Sequence, residues 1–409
     1  MASLQREQDR CRVCGSERLY EFLDLGEMPL TNAFLESADR EAEWFPLEVV
    51  YCVSCTHVQL KHTVDRSHLF SEYPYQSSAS DSIPAHFTEY VEEVRSRFLS
   101  PGDRVIEIGS NDGTLLRTFD EDVDVIGIDP AMNIASFARE KGVETVTELF
   151  DSRTASDVRQ EFGTASVMIA NNVLGHVDDL YDFMSGVDHL LETDGTFIIE
   201  VPYLLDLLDK VEFDTIFHEH ISYFSITSLQ RLVEQFGMCI SDVKQVDTHG
   251  GSIRAYVRYE SQCAVSKSVK SLGLLENARG VDEPKTFDQF ARAVRQRATH
   301  IRELIEHVAE SGYSIVGYGA PSKANILLNY AEVDAGHIDY VIDTTPMKQG
   351  TFMPGTKIPV REPRVFHENP PDYALLLAWN YRETILEKEV EFRERGGHFL
   401  VPTPHVHVF

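Results

Sequence analysis

The chain has 409 residues, 43% hydrophobic and 25% charged, an ordinary globular balance and enough for two or three domains at about 150 residues each. Asp and Glu number 66 against 37 Lys and Arg, a net charge of −29, and such a field repels nucleic-acid phosphates and anionic membranes, so neither is expected as a partner. No run approaches the roughly 18 apolar residues of a membrane span, and the N-terminal MASLQREQDR lacks the apolar core of a signal peptide, so a cytoplasmic protein is expected.

Three segments follow in chain order. Residues 1–70 carry two close cysteine pairs and short strand-like runs at 19–25, 47–52 and 56–60. Residues 71–258 alternate β-branched runs (RVIEIG, DVIGID, SVMIAN, TFIIEV) with polar or helical sequence, the pattern of βαβ units on a parallel sheet. In residues 259–409 a polar, helix-favouring stretch near 285–312 precedes a second strand–turn–helix series: YSIVGYG, HIDYVID, YALLLAW and HFLVP. The expected architecture is α/β: a small N-terminal module carrying the cysteine pairs, a Rossmann-like domain and a second Rossmann-like domain.

Cys11-x-x-Cys14 and Cys52-x-x-Cys55 are two knuckle-like turns separated by 37 residues. Each turn points two thiolates at one metal about 2.3 Å away, and two turns complete a tetrahedron that suits Zn²⁺. Four thiolates leave no open position, so the zinc is expected to be structural. Cys239 and Cys263 read as solitary core or surface residues.

RVIEIGSNDGTLLRTF reads as a strand, a glycine turn and a helix start. Glu107 and Asp112 flank Gly109, Ser110, Asn111 and Gly113, where they would repel a pyrophosphate but suit a cationic amino group without phosphate. S-adenosylmethionine fits that description. The next strand ends in Asp129, twenty residues past Gly109, a carboxylate placed for both ribose hydroxyls, and Met132 follows to cover an adenine. Asn172, in Asn171-Asn172-Val173-Leu174-Gly175-His176 beyond the SVMIAN strand, joins these candidates.

FDTIFHEHISYFS sets His218, Glu219 and His220 together, a proton-transfer group near neutral pH. On an extended segment His218 and His220 would share one side. Glycine-rich His249-Gly250-Gly251-Ser252 with Arg254, and Tyr73-Pro74-Tyr75-Gln76-Ser77-Ser78, are two further candidate contact segments. In the last domain, IVGYGAPSKANILLNY places Lys323 at a helix start, a counter-charge for phosphate. The candidate substrate contacts are Tyr318, Ser322, Lys323, Asn325, Asp343, Lys348 and Asn380, with Ser252 from the middle domain.

In order, the cysteine module, EIGSNDGTLL, NNVLGHVDDL, FDTIFHEHISYFS, HGGSIRAYV and GYGAPSKANILLNY resemble the three-domain C-methyltransferases of nucleotide-linked deoxysugars, over nearly the whole chain. The resemblance implies zinc in the first domain, S-adenosylmethionine in the second, and a third that helps hold the nucleotide of a 4-keto sugar, dTDP-linked in the family. It implies catalytic roles for Glu219, His220, His176 and a tyrosine best matched by Tyr75, with Tyr73 the alternative. The family's further tyrosine in the histidine strip is Phe217 here, so that tyrosine cannot be an essential base: either His220 acts alone with Glu219 and His176, or the substrate is different, or activity is lost. The implied reaction has His220, oriented by Glu219, remove the hydrogen next to the ketone, while His176 and nearby donors steady the enolate oxygen. A monomer or weak homo-oligomer is expected. A nucleotide-sugar dehydrogenase or epimerase and a non-catalytic sugar-nucleotide binding protein are the alternatives.

Overall fold

The computed structural model describes residues 4–69 and 83–409. In the N-terminal module β1 (Gln5–Glu7) pairs antiparallel with β5 (His62–Val64), beside an antiparallel sheet of β2 (Leu19–Pro29), β3 (Trp44–Cys52) and β4 (Val58–Leu60). Along β3 the apolar Phe45, Leu47 and Val49 alternate inward, which buries one face and sets its register. Gly15 and Thr56 take the left-handed conformation just past each cysteine pair, so the two knuckles turn alike. The single turn α1 (Arg66–Leu69) ends the module.

The middle domain opens with α2 (Ile83–Phe98). It then runs β6 (Arg104–Ile108), β7 (Asp124–Ile128), α3 (Met132–Glu140), β8 (Glu144–Val146), α4 (Ser152–Phe162), β9 (Ala165–Asn171), α5 (Leu180–Leu190) and β10 (Leu191–Pro202). After α6 (Leu204–Lys210), β11 (Ser222–Tyr223) leaves this domain and pairs with β4 of the module, Ser222 opposite Gln59. α7 (Ile226–Val233), β12 (Met238–Val246) and β13 (Ser252–Tyr259) complete a seven-stranded sheet of order β12-β13-β10-β9-β6-β7-β8, with β13 antiparallel to both neighbours. Strand order reverses beside β6: the chain moves outward to β7 and β8, then returns to β9. The carboxyl ends of β6 and β9 therefore flank a switch-point crevice.

Two expectations are corrected here. The glycine turn after β6 does not start an α-helix: the left-handed Gly109, Asn111 and Gly113 break helical continuation, and only a 3₁₀ turn at Leu116–Thr118 follows. Cys239 and Cys263 are not solitary. The turn after β13 carries the chain back beside β12, and the two form a disulfide with Cα atoms 6.3 Å apart.

α8 (Lys267–Ala278) and the 27-residue α9 (Pro284–Glu310) lead to the last domain. Pro284 begins α9, where a missing N–H costs nothing, and Phe287, Phe290, Ala291, Val294, Ala298, Ile301, Ile305 and Val308 form its buried stripe. The sheet beyond it has order β16-β15-β14-β17-β18-β19, built from β14 (Ile315–Tyr318), β15 (Val341–Ile342), β16 (Val360–Arg361), β17 (Tyr373–Leu376), β18 (His398–Val401) and β19 (His407–Val408). α10 (Ser322–Tyr330) follows β14 at this sheet's own reversal point. Among the described residues, no helix is long and apolar enough to cross a membrane.

The module packs on α9 through aromatics. Tyr51 stacks on Phe287 at 4.5 Å, Phe22 meets the same ring at 4.9 Å, and the Tyr51 hydroxyl donates to the Asp282 carbonyl at 2.7 Å. Phe287→Ala should lower stability by about 3–5 kcal/mol, because it empties a fully buried site between lobes. A shift of the urea midpoint measures this, and an unchanged midpoint contradicts it.

Candidate functional site

The four knuckle sulfurs lie within 4.8 Å of one another, with Cys11 and Cys55 Sγ 3.4 Å apart and Cys14 and Cys52 Sγ 3.6 Å apart. A tetrahedron with Zn–S bonds of about 2.3 Å has edges of about 3.8 Å, so these soft donors fit zinc and fill its four positions.

At the first switch point Glu107, Asp112 and Asp129 are all buried. Burial pushes the Glu107 carboxyl well above its ordinary range, and the nearby Asp129 and Asp112 push it further. Lys141 Nζ stands 3.6 Å from Asp112. Asp129 is held rigidly: Oδ2 accepts from Asn111 N and Oδ1 from Ala131 N, each at 2.9 Å. Glu107 Oε2, Ser110 Oγ, Asn171 Nδ2 and Asn172 Oδ1 are buried with no hydrogen-bond partner among the described residues. Gly109 has φ +69, and a Cβ there would meet Val173 Cγ2 at 2.5 Å, so the backbone stays bare where it lines the crevice. Met132 is exposed at the rim. Crowded carboxyls and unmet polar atoms suit a ligand that brings positive charge and donors, as the ammonium, sulfonium and ribose of S-adenosylmethionine do.

The histidine strip is a turn rather than an extended run, so its residues part company. His218 Nε2 lies 3.2 Å from the Phe45 carbonyl, against the module. His220 packs on Phe217 with ring centroids 4.0 Å apart and edge-on to His176 at 4.8 Å. His220 Nδ1 donates to the Thr215 carbonyl at 3.1 Å, and His176 Nδ1 to the Glu219 carbonyl at 2.8 Å. A carbonyl only accepts, so both rings carry their hydrogen on Nδ1. Burial, aided by the Arg66 guanidinium, lowers the His176 pKa to about 4 and keeps it neutral. Burial raises the Glu219 carboxyl to about 7.

Family models match the chain in three consecutive pieces: a zinc binding domain over residues 11–70, a methyltransferase domain over 84–240 and a C-methyltransferase C-terminal domain over 247–404. C-methyltransferase NovU of Streptomyces niveus is 38% identical over 413 residues, which cover 100% of this chain and 98% of NovU. The chain belongs to this three-domain C-methyltransferase family. Solved structures with similarity include a SAM-dependent methyltransferase from Archaeoglobus fulgidus (18% identity, TM-score 0.34, 40% of this chain and 71% of that one). Another is magnesium protoporphyrin IX methyltransferase from Synechocystis PCC 6803 with bound SAM (15% identity, TM-score 0.32, 43% and 79%). The enzyme is an S-adenosylmethionine-dependent methyltransferase with a zinc-binding module.

In the methyltransferase's last domain Lys323, Asn380, Asp343, Lys348 and Ser322 gather at the reversal point. Lys323 Nζ bonds Asn380 Oδ1 at 2.6 Å and sits 3.6 Å over the Trp379 ring; burial lowers its pKa to about 8. Asp343 accepts from Ala320 N and Thr345 N, and Lys348 Nζ donates to the Ala320 carbonyl. Three of the expected substrate contacts are engaged within the protein. Tyr318 points into the domain core, where its hydroxyl donates to buried Glu389 at 2.7 Å. Asn325 is fully buried and holds the Thr31 carbonyl at 2.6 Å. Ser252 is buried in β13 and donates to the Thr248 carbonyl. Tyr73 and Tyr75 lie outside the described residues.

Sequence reasoning missed three residues. Asn32 of the module reaches Glu219, Arg66 donates to the His176 carbonyl, and the Thr215 carbonyl, not the Glu219 carboxyl, orients His220. Only the polarity of the LTNAF run hints at Asn32; a backbone carbonyl leaves no trace in a motif.

Asp129→Asn should weaken adenosylhomocysteine binding about 10- to 100-fold by calorimetry, as loss of charge-assisted acceptance implies. Unchanged affinity would remove Asp129 from the cofactor site. Cys52→Ser should purify without stoichiometric zinc by elemental analysis and melt at lower temperature, since structural zinc contributes folding energy; full zinc content would contradict the ligand set.

Proposed function

We propose that the methyl acceptor is a carbon beside the ketone of a nucleotide-linked 4-keto sugar, dTDP-linked by family resemblance, and that His220 is the base that makes this carbon nucleophilic. The observation that carries the reading is the pair of imidazoles with hydrogens committed to backbone carbonyls. With Nδ1–H given to Thr215, the basic atom of His220 is Nε2. Phe217 and His176 pack on its ring and limit its motion. Phe217 thus has a role of its own, since a phenyl face, not a phenol, holds the base.

When bound, S-adenosylmethionine supplies an electrophilic methyl group on sulfur. Glu107, Asp112 and Asp129 would hold it at the carboxyl ends of β6 and β7. His220 Nε2 takes the proton from carbon and the electron pair moves toward the ketone oxygen, which leaves that carbon nucleophilic toward the methyl the cofactor would supply. Neutral His176 with its hydrogen on Nδ1 offers a lone pair, so it suits a substrate hydroxyl better than an enolate oxygen. Glu219, raised to about 7, carries its hydrogen in a large fraction of molecules at neutral pH and serves as the donor. Lys323 and Lys348 supply the positive charge that an anionic nucleotide handle needs on a chain of net charge −29.

A four-thiolate zinc site supports a cytoplasmic setting, and the Cys239–Cys263 disulfide is the observation against it.

His220→Asn should lower turnover about 10²- to 10⁴-fold, with cofactor affinity kept, when labelled S-adenosylmethionine and a panel of 4-keto nucleotide sugars are followed by mass spectrometry. Near-normal turnover would remove His220 from the role. Methyl found on oxygen or nitrogen would overturn the choice of acceptor.

A further inference from the structure

The turn after β2 brings the zinc module into the interior of the enzyme. Asn32 Nδ2 donates to Glu219 Oε1 at 2.6 Å, and Asn32 Oδ1 accepts from Ser322 Oγ at 2.8 Å. One carboxamide thus joins the histidine strip of the middle domain to the first residue of α10. Its neighbours fix its place: Thr31 O accepts from buried Asn325, Leu35 bridges Phe352, and Phe34 lies 5.4 Å from Lys348 Nζ. The amide turns its NH₂ to Glu219 and its oxygen to the Ser322 hydroxyl.

We propose that Asn32 is a positioning residue that sets where the acid hydrogen of Glu219 resides. An oxygen that accepts an N–H bond cannot share that direction with its own hydrogen, so Oε1 acts as the acceptor and the hydrogen is carried on Oε2. Asn32 does for Glu219 what the Thr215 carbonyl does for His220. The role rests on the reading of Glu219 as the acid of the proposed reaction. It makes the zinc module part of the reaction machinery, because the loop that carries Asn32 is the module's own, and it makes Ser322 the link through which the last domain bears on Glu219. Among the described residues, the titratable groups around Glu219 are His176, His218 and His220 of the adjoining turns, Arg66 behind His176, and Lys323 next to Ser322 in α10. The Asn32 bond favours the ionised carboxylate against burial, so its loss moves the Glu219 titration upward.

The test uses the full-length enzyme with zinc. Asn32→Ala should lower kcat about 10- to 100-fold, with adenosylhomocysteine affinity and zinc content unchanged as checks of folding. In a Glu219→Gln background the same change should cost less than about threefold, because the two act as one unit. The protonated-carboxyl infrared band that Glu219→Gln removes should titrate at higher pH in Asn32→Ala than in wild type. Ser322→Ala should shift it the same way by less. Equal losses in both backgrounds, or an unmoved band, would overturn the proposal. If wild type methylates no member of the ketosugar panel, the reaction reading fails, and the infrared shift still decides whether Asn32 governs the Glu219 proton.

Discussion

The 3.1 Å hydrogen bond from His220 Nδ1 to the Thr215 carbonyl commits that nitrogen as a donor, and the proposed chemistry depends on it. The carbonyl is itself held in place. Thr215 ends a 3₁₀ turn, Phe213–Thr215, whose Asp214 is fully buried and accepts from Trp379 Nε1 of the last domain at 2.6 Å. Lys323 Nζ sits 3.6 Å over the Trp379 ring near Asp214 and Glu212, whose carboxyls burial pushes up, Glu212 to about 8. A buried hydrogen bond of this kind contributes about 0.5–1.5 kcal/mol. The orientation of the base in the middle domain is thus tied to the last domain through one tryptophan.

Charge is arranged locally against the acid surface. Around the first switch point three buried carboxyls crowd together, with Glu107 pushed toward its neutral form, a cradle that a cation relieves. Around the second, Lys323 and Lys348 are half-buried cations whose pKa values desolvation lowers. The first reversal point therefore favours a cationic methyl donor, while at the second the two lysines stand beside Asp343, Asp214 and Glu212.

Much of this was readable in the sequence. The cysteine knuckles, the β-branched runs and the glycine turns are local patterns, and the strands and the thiolate cluster follow them. What was not readable lies in contacts between distant segments. Asn32 meets Glu219 across 187 positions and Ser322 across 290, and no spacing rule reaches so far. Asn325 and Tyr318 sit in a ligand-like motif, but which face of α10 and β14 each side chain takes is set by the module loop and the core behind. The 3₁₀ turn after β6 was hidden because helix periodicity in LLRTF said nothing of three left-handed residues before it. The disulfide of Cys239 and Cys263 arises from strand pairing, which brings together two residues that looked unrelated.

Proton removal from carbon can be observed with no methyl transfer at all. In deuterated water, with adenosylhomocysteine in place of the donor, the wild-type enzyme should wash deuterium into the position beside the ketone of a 4-keto nucleotide sugar, and protein without the His220 imidazole should not. A substrate that is methylated in the full reaction yet gains no deuterium in this one, or that exchanges equally fast without the imidazole, would contradict the account.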